Sequence, residues 1–357
     1  MSSQNVTSKR RITPLGIILA ASGLALFAYF VKRAGVTEIA EGIRRLGSGF
    51  LLILLISGSR HVVRSLAWML CLEPPHRLRF ADALRARLMG DAMGNVLPLG
   101  SLFVAEPAKP ALIRDRLPLI EGFSSLLIEN VFYSLSVVTF VSAGMLALLV
   151  SFSLTKGLRL ASVITVAIIA AVIVTGIFLL RRQVRFISSA AAFLHRRGLN
   201  QKWINKGRTV EDRVYGFYQR NGSRFLPILL LEACFHLAGV IEIYVSLHFI
   251  SSQPPTLFTA FILESVNRVI TMAFKFVPLR MGVDEAGTGK VSKALQFTEA
   301  AGVTLAIVRK GRDLFWAAVG MALLVHRGWS LRAIRKDADT RVCEPIENLS
   351  SYDKLLH

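Results

Sequence analysis

The chain has 357 residues, 53% of them hydrophobic and 18% charged, with a formal net charge of +20. Soluble domains carry about 25% charged residues, so this composition excludes a soluble enzyme and makes a bilayer the solvent for most of the chain. The positive balance does not read as a nucleic-acid surface, because Arg and Lys gather beside apolar runs, where they set topology and meet anionic headgroups.

A spanning helix needs roughly 20 mostly apolar residues. In chain order, six runs meet that need: Pro14 to Val31, Phe50 to Leu72, Leu119 to Val150, Leu158 to Leu180, Phe225 to Ile250 and Val303 to Val325. Lys9, Arg10 and Arg11 precede the first run as in a signal peptide. No small-x-small cleavage site leads into a soluble domain, so the run reads as a retained helix. Two further stretches, Ala81 to Leu117 and Leu257 to Ala300, are apolar but broken by Pro, Gly and charge.

The expected fold is therefore all-α, a polytopic membrane helix bundle of six spans with two re-entrant hairpins. The corresponding segments are an N-terminal helix and loop (1–49), a first repeat (50–150), a fourth span with a basic loop (151–223), a second, inverted repeat (224–326) and a polar tail (327–357). A basic loop, Arg181 to Arg224, places both termini in the cytoplasm of a cell membrane by the positive-inside rule. Lys32, Arg33, Arg44 and Arg45 then lie outside, the one loop that fits less well.

The two broken stretches match at three landmarks: Pro98 and Pro278, Glu106 and Glu285, Glu129 and Arg309, each pair separated by about 180 residues. Broken helices at matching positions in two halves point to a transporter's midplane site; the alternative is a pair of amphipathic helices lying on the membrane surface.

Charges inside spans cost about 2.5 to 3.5 kcal/mol each on insertion scales and are functional candidates by default. Arg60 and Arg64 share one helix face; they either grip a lipid phosphate or pair with buried acids such as Glu106 and Glu129. Glu106 and Lys109 line a cavity mouth or close the hairpin by an ion pair. Asn95 satisfies backbone freed by Pro98. Glu129 is a proton-coupling group or one half of a salt bridge between repeats. Glu232 and His236, which share a face, are a proton relay or a packing hydrogen bond, and Arg268 pairs with Glu264. Arg309 pairs with Asp313, with Arg312 adjacent. The candidate cavity residues are thus Arg60, Arg64, Asn95, Glu106, Lys109, Glu129, Arg268, Glu285, Arg309 and Arg312.

No metal or cofactor is implied: Cys71, Cys234 and Cys343 have no ligand spacing. Gly287-Thr-Gly289-Lys290 is not a phosphate loop, because Asp284 stands where the first Gly is needed and Val291 follows the Lys.

Two segments carry a family resemblance. One runs from Arg87 through Asn95-Val-Leu-Pro98 to Glu106. The other is Phe276-Val-Pro278, Gly282-Val-Asp-Glu285 and Arg309-Lys-Gly-Arg312-Asp313. With these the chain resembles the flippase-like family, the lysylphosphatidylglycerol synthase transmembrane region, over roughly 50–327. Arg85-x-Arg87 and the Arg309–Arg312 segment resemble its hopanoid-associated group. The chain departs from the family at Val104-Ala105-Glu106, where Gly usually precedes the Glu, and at Arg280-Met281, where small residues are usual. The resemblance implies a lipid flippase or transporter for a phospholipid or isoprenoid-type lipid, with membrane lipids of anionic headgroup as partners. The alternative is a non-catalytic subunit that docks a lipid-modifying enzyme through the basic loop. About thirty polar residues follow Val325, too few for the aminoacyl-transfer domain of the synthases.

Overall fold

A computed structural model describes residues 40–41, 44–96, 104–182, 189, 201–274, 280 and 282–327. The run Pro14 to Val31 and both Pro98 and Pro278 fall outside the described residues. Among those residues the chain is all-helical: α1 (Gly49–Leu70), α2 (Phe80–Val96), α3 (Ala105–Leu112), α4 (Leu119–Ser151), α5 (Lys156–Arg182), α6 (Gln201–Arg220), α7 (Gly222–Ile250), α8 (Leu257–Ala273), α9 (Val283–Ala294) and α10 (Glu299–Arg327).

Local chemistry sets the helix limits. Past α1, Pro74 and Pro75 supply no N–H to continue a ladder. Pro118 stands just before α4, with Glu121 in the first turn favouring the positive end of the helix dipole. A reciprocal box opens α8, in which Thr259 N–H donates to Thr256 Oγ1 and Thr256 N–H to Thr259 Oγ1, both at 3.1 Å. Gly282, at φ +80°, precedes α9 and donates its N–H to Glu285 Oε2 at 2.8 Å.

Contacts fix two ends of the bundle. At the first end, Glu73 after α1 accepts from Arg220 Nε at 2.9 Å and from Asn221 Nδ2 at 2.8 Å, Arg213 pairs with Glu121 of α4, and Arg327 of α10 lies 3.6 Å from Asp115. At the second end, Phe249 closes on Gly49, and the rings of Phe152 and Phe258 stack 6.5 Å apart. The pair α2–α3 begins and ends at the first end: Leu78 and Leu117 share one core with Leu72 and Leu324. The pair α8–α9 begins and ends at the second, where Ala260, Leu295 and Phe297 pack with Leu148 and Leu247. The two hairpins thus enter the bundle from opposite ends.

Helix α10 lies against both hairpins. A Cβ on Gly302 would come 2.6 Å from the Thr288 carbonyl of α9, and one on Gly320 would meet the Leu88 carbonyl of α2, so small residues at each end admit the two hairpins. Between them runs the charged centre Arg309-Lys-Gly-Arg312-Asp313. Among the described residues, four helices, covering 49–70, 119–151, 156–175 and 222–250, are long and apolar enough to cross a membrane. The run Val303 to Val325 is not among them, because Arg309, Lys310, Arg312 and Asp313 dilute its apolar character; those charges pack toward the interior. By contrast α5 presents Leu160, Ile164, Ile168, Val172 and Phe178 outward, as a lipid-facing helix should.

Candidate functional site

A cavity of about 210 Å³ lies where α1, α2, α7 and α10 meet. Each helix contributes a stripe at i, i+4 spacing, which places those side chains on one face. Helix α1 brings Arg60 and Arg64, with Ser57 and His61; α2 brings Arg87, Asp91 and Asn95; α10 brings Arg312, Asp313 and Trp316. Trp316 Nε1 donates to Ser57 Oγ at 2.8 Å, tying α10 to α1 across the opening.

Aromatic faces seat the guanidinium groups. Arg60, Arg268 and Arg64 lie 4.5, 4.8 and 5.6 Å from the Phe235 ring centroid, and Arg64 lies 3.8 Å from that of Tyr133. A cation over an aromatic face gains electrostatic attraction without needing a charged partner.

Behind the cavity wall the charges form two groups. In the first, Glu129 Oε1 accepts from Arg64 Nε at 2.8 Å and from Arg87 Nη2 at 3.1 Å. Asn130 Nδ2 donates to Glu106 Oε2 at 3.0 Å, and Lys109 Nζ contacts Glu106 at 2.7 Å and Asp91 at 2.9 Å. Arg64, Arg87 and Lys109 are thus matched by Glu129, Glu106 and Asp91.

The second group crosses between halves. Arg60 contacts Glu242 at 3.2 Å and Glu264 at 3.4 Å. Arg268 donates to Glu264 at 2.6 Å, and Arg312 pairs with Glu242 and, at 2.6 Å, with Asp313. Arg280, at φ +49° in the left-handed region that side chains seldom adopt, bridges Asp313 at 3.1 Å and Asp284 at 3.3 Å. Arg309 donates to Thr288 Oγ1 at 2.8 Å and lies 3.8 Å from Asp284. Among the described residues of this group, Arg60, Arg268, Arg280, Arg309 and Arg312 outnumber Glu242, Glu264, Asp284 and Asp313 by one positive charge. Lys310 and Glu285 form a separate balanced pair.

Of the candidates named from sequence, Arg60, Arg64, Asn95 and Arg312 line the cavity. Glu129, fully buried, holds two of the lining arginines from behind, so it is a salt-bridge partner rather than a lone acid. Glu106 and Lys109 do form their ion pair, one layer back through Asp91, and Arg268 does pair with Glu264.

Several expectations are corrected. Arg309 does not pair with Asp313, which is held by Arg312 and Arg280, because Arg309 turns toward α9. Glu285 does not line the cavity: one oxygen caps α9 and the other takes Lys310. Arg64 does pair with Glu129, as one of the two readings expected, but neither it nor Arg60 pairs with Glu106, and Arg60 takes Glu242 and Glu264 instead. Glu232 and His236 make no hydrogen bond with each other; His236 Nε2 lies 3.1 Å from Ser136 Oγ.

Sequence reasoning passed over Arg87, Asp91 and Trp316 as cavity residues, and Glu242 as the acid that holds Arg60 and Arg312 behind the wall. Glu242 carried a usable signal, an isolated acid within an apolar run, under the same cost argument that singled out Glu129.

A helical bundle with four candidate spans among the described residues, two opposed hairpins and an arginine-lined polar chamber defines a class, the polytopic helical membrane proteins. The family model described as lysylphosphatidylglycerol synthase TM region matches residues 14–332, and the chain belongs to that family. Membership makes it a membrane protein of lipid metabolism or transport. Searches of curated proteins and of solved structures returned no match.

Proposed function

We propose that this protein moves a lipid between leaflets, the headgroup passing through the arginine-lined cavity while the tails stay in the bilayer. One observation carries the reading: Arg60, Arg64, Arg87 and Arg312, from both halves, converge on one chamber between hairpins of opposite entry. Guanidinium forks bind phosphate oxygens in bidentate fashion, so the cargo is a phospholipid or isoprenoid-type lipid with an anionic headgroup. Non-helical backbone at membrane depth is tolerated where protein or a watery cavity shields it, and paired hairpins around a midplane site suit alternating access. With the end that carries Arg213, Arg220, Arg224 and Arg327 facing the cytoplasm, the termini lie inside a cell membrane.

Three arginines at the end of the basic loop are engaged within the chain. Arg213 and Arg220 pair with Glu121 and Glu73, and Arg224 donates to the Leu70 and Leu72 carbonyls.

The test is translocation in liposomes carrying fluorescent tracers of phosphatidylglycerol, phosphatidylethanolamine and an isoprenoid phosphate. Movement of at least one tracer above protein-free vesicles, reduced by Arg64→Lys, is expected. No movement of any tracer ends the proposal.

A further inference from the structure

Glu232 on α7 is fully buried, and neither carboxyl oxygen has a hydrogen-bond partner among the described residues. It joins neither charge group described above. The residue sits one helical turn from Phe235, whose ring seats Arg60, Arg64 and Arg268. Arg64 and Cys71 face it from α1, Arg87 from α2, Glu129 from α4 and Arg268 from α8; on its own helix His236 follows one turn later.

A buried carboxylate without a donor is costly, so the balance between its charged and neutral forms is set by the charge around it. The neighbouring arginines direct their forks to Glu129, Glu264 and Glu242, and among the described residues none donates to Glu232, although Arg87 Nε and Arg268 Nε are themselves without a partner. With Glu232 neutral, the second charge group retains its one unmatched positive charge. Either of two anions restores balance: the Glu232 carboxylate, once its proton leaves, or the phosphodiester of a bound headgroup. Both draw on the same arginine field, so each opposes the other.

We propose that Glu232 is a proton-binding site linked to the cavity, and that an anionic phosphodiester lipid enters the site together with one proton. The inference rests on the lipid-moving reading and extends it to the driving force. When the headgroup arrives, its negative charge and the proton taken up by Glu232 cancel, so the loaded site carries the same charge as the empty one with Glu232 ionised. A proton gradient then drives cargo in the direction protons flow. The linkage sign follows: cargo affinity is highest at low pH and falls by up to about tenfold per pH unit once Glu232 ionises in the empty site.

The experiment is calorimetric binding of short-chain phosphatidylglycerol to the full-length protein in detergent. It is run near neutral pH in buffers of different protonation enthalpy, so that proton uptake is counted. Uptake approaching about one proton per lipid is expected. Glu232→Gln is expected to bind with no uptake and no pH dependence, and Glu232→Asp to keep both. Unchanged uptake in Glu232→Gln overturns the proposal, as does wild-type binding without uptake or no phosphatidylglycerol binding. Wild-type uptake alone decides should Glu232→Gln fail to fold. Liposomes that move a tracer while the protein shows no uptake overturn the coupling and leave the lipid-moving reading standing; liposomes that move none overturn both.

Discussion

The two halves of the bundle use the same residue types for different ends. On α1, Arg60 and Arg64 leave 12% and 13% of their side chains exposed at the cavity, seated on Phe235 and Tyr133. On α10, Arg309 and Lys310 are 3% and 2% exposed and turn away from it, to Asp284 and Thr288 and to Glu285. An arginine inside a membrane bundle is therefore not a binding residue by position alone. What distinguishes the two is access: Arg60 and Arg64, though each is also held by acids, reach the cavity from aromatic seats, whereas Arg309 and Lys310 are packed against α9 away from it. The pseudo-equivalence of the halves extends to their hairpins but not to the use of their cations.

Substitutions that treat the two sites alike should separate them. The largest effect is expected for Arg309→Ala, which removes the donor to Thr288 and one of two cations at Asp284, Arg280 remaining, and should cost about 2–3 kcal/mol, read as a fall of the thermal transition in detergent. Arg64→Lys retains the charge but loses the planar fork. Lipid movement should drop about tenfold or more, equivalent to about 1.4 kcal/mol, while the melting temperature changes little; a melting loss as large as that of Arg309→Ala would erase the distinction. Glu285→Gln weakens both the cap of α9 and the contact with Lys310. It should cost about 1–2 kcal/mol of stability and leave the order of preference among lipid tracers unchanged, and a changed order would move Glu285 into the site. Smallest of all, Arg220→Ala breaks a half-exposed pair with Glu73 and should cost less than about 1 kcal/mol in a denaturation curve.

The parts of this architecture that sequence reveals are those where one side chain decides alone. Apolar length marks α1, α4, α5 and α7, and Pro with Gly marks the two breaks. Helix α10 shows the limit: its length and ends are legible, but Arg309, Lys310, Arg312 and Asp313 dilute its apolar count, and only the packed structure shows that they face inward. The cavity was half legible for the same reason. Arg60 and Arg64 announce themselves as two charges on one face of an apolar helix, whereas Arg87 and Asp91 lie on a helix already polar, where a further charge carries no signal. Pairing was the least legible feature. The contact of Arg60 with Glu242 spans 182 residues, and no local pattern states that α1 and α7 are neighbours.

The central claim is that a watery chamber open to an anionic headgroup exists between the halves at the depth of His61, which stands midway along α1 and lines the cavity with a partly exposed side chain. The direct measurement is labelling of His61→Cys, in a protein whose own Cys71, Cys234 and Cys343 are replaced by Ser, with a water-soluble maleimide in liposomes. Rapid labelling, slowed by raising the phosphatidylglycerol fraction of the vesicles, is the predicted result. A thiol at position 61 that does not react, or that reacts at a rate indifferent to anionic lipid, would contradict the account.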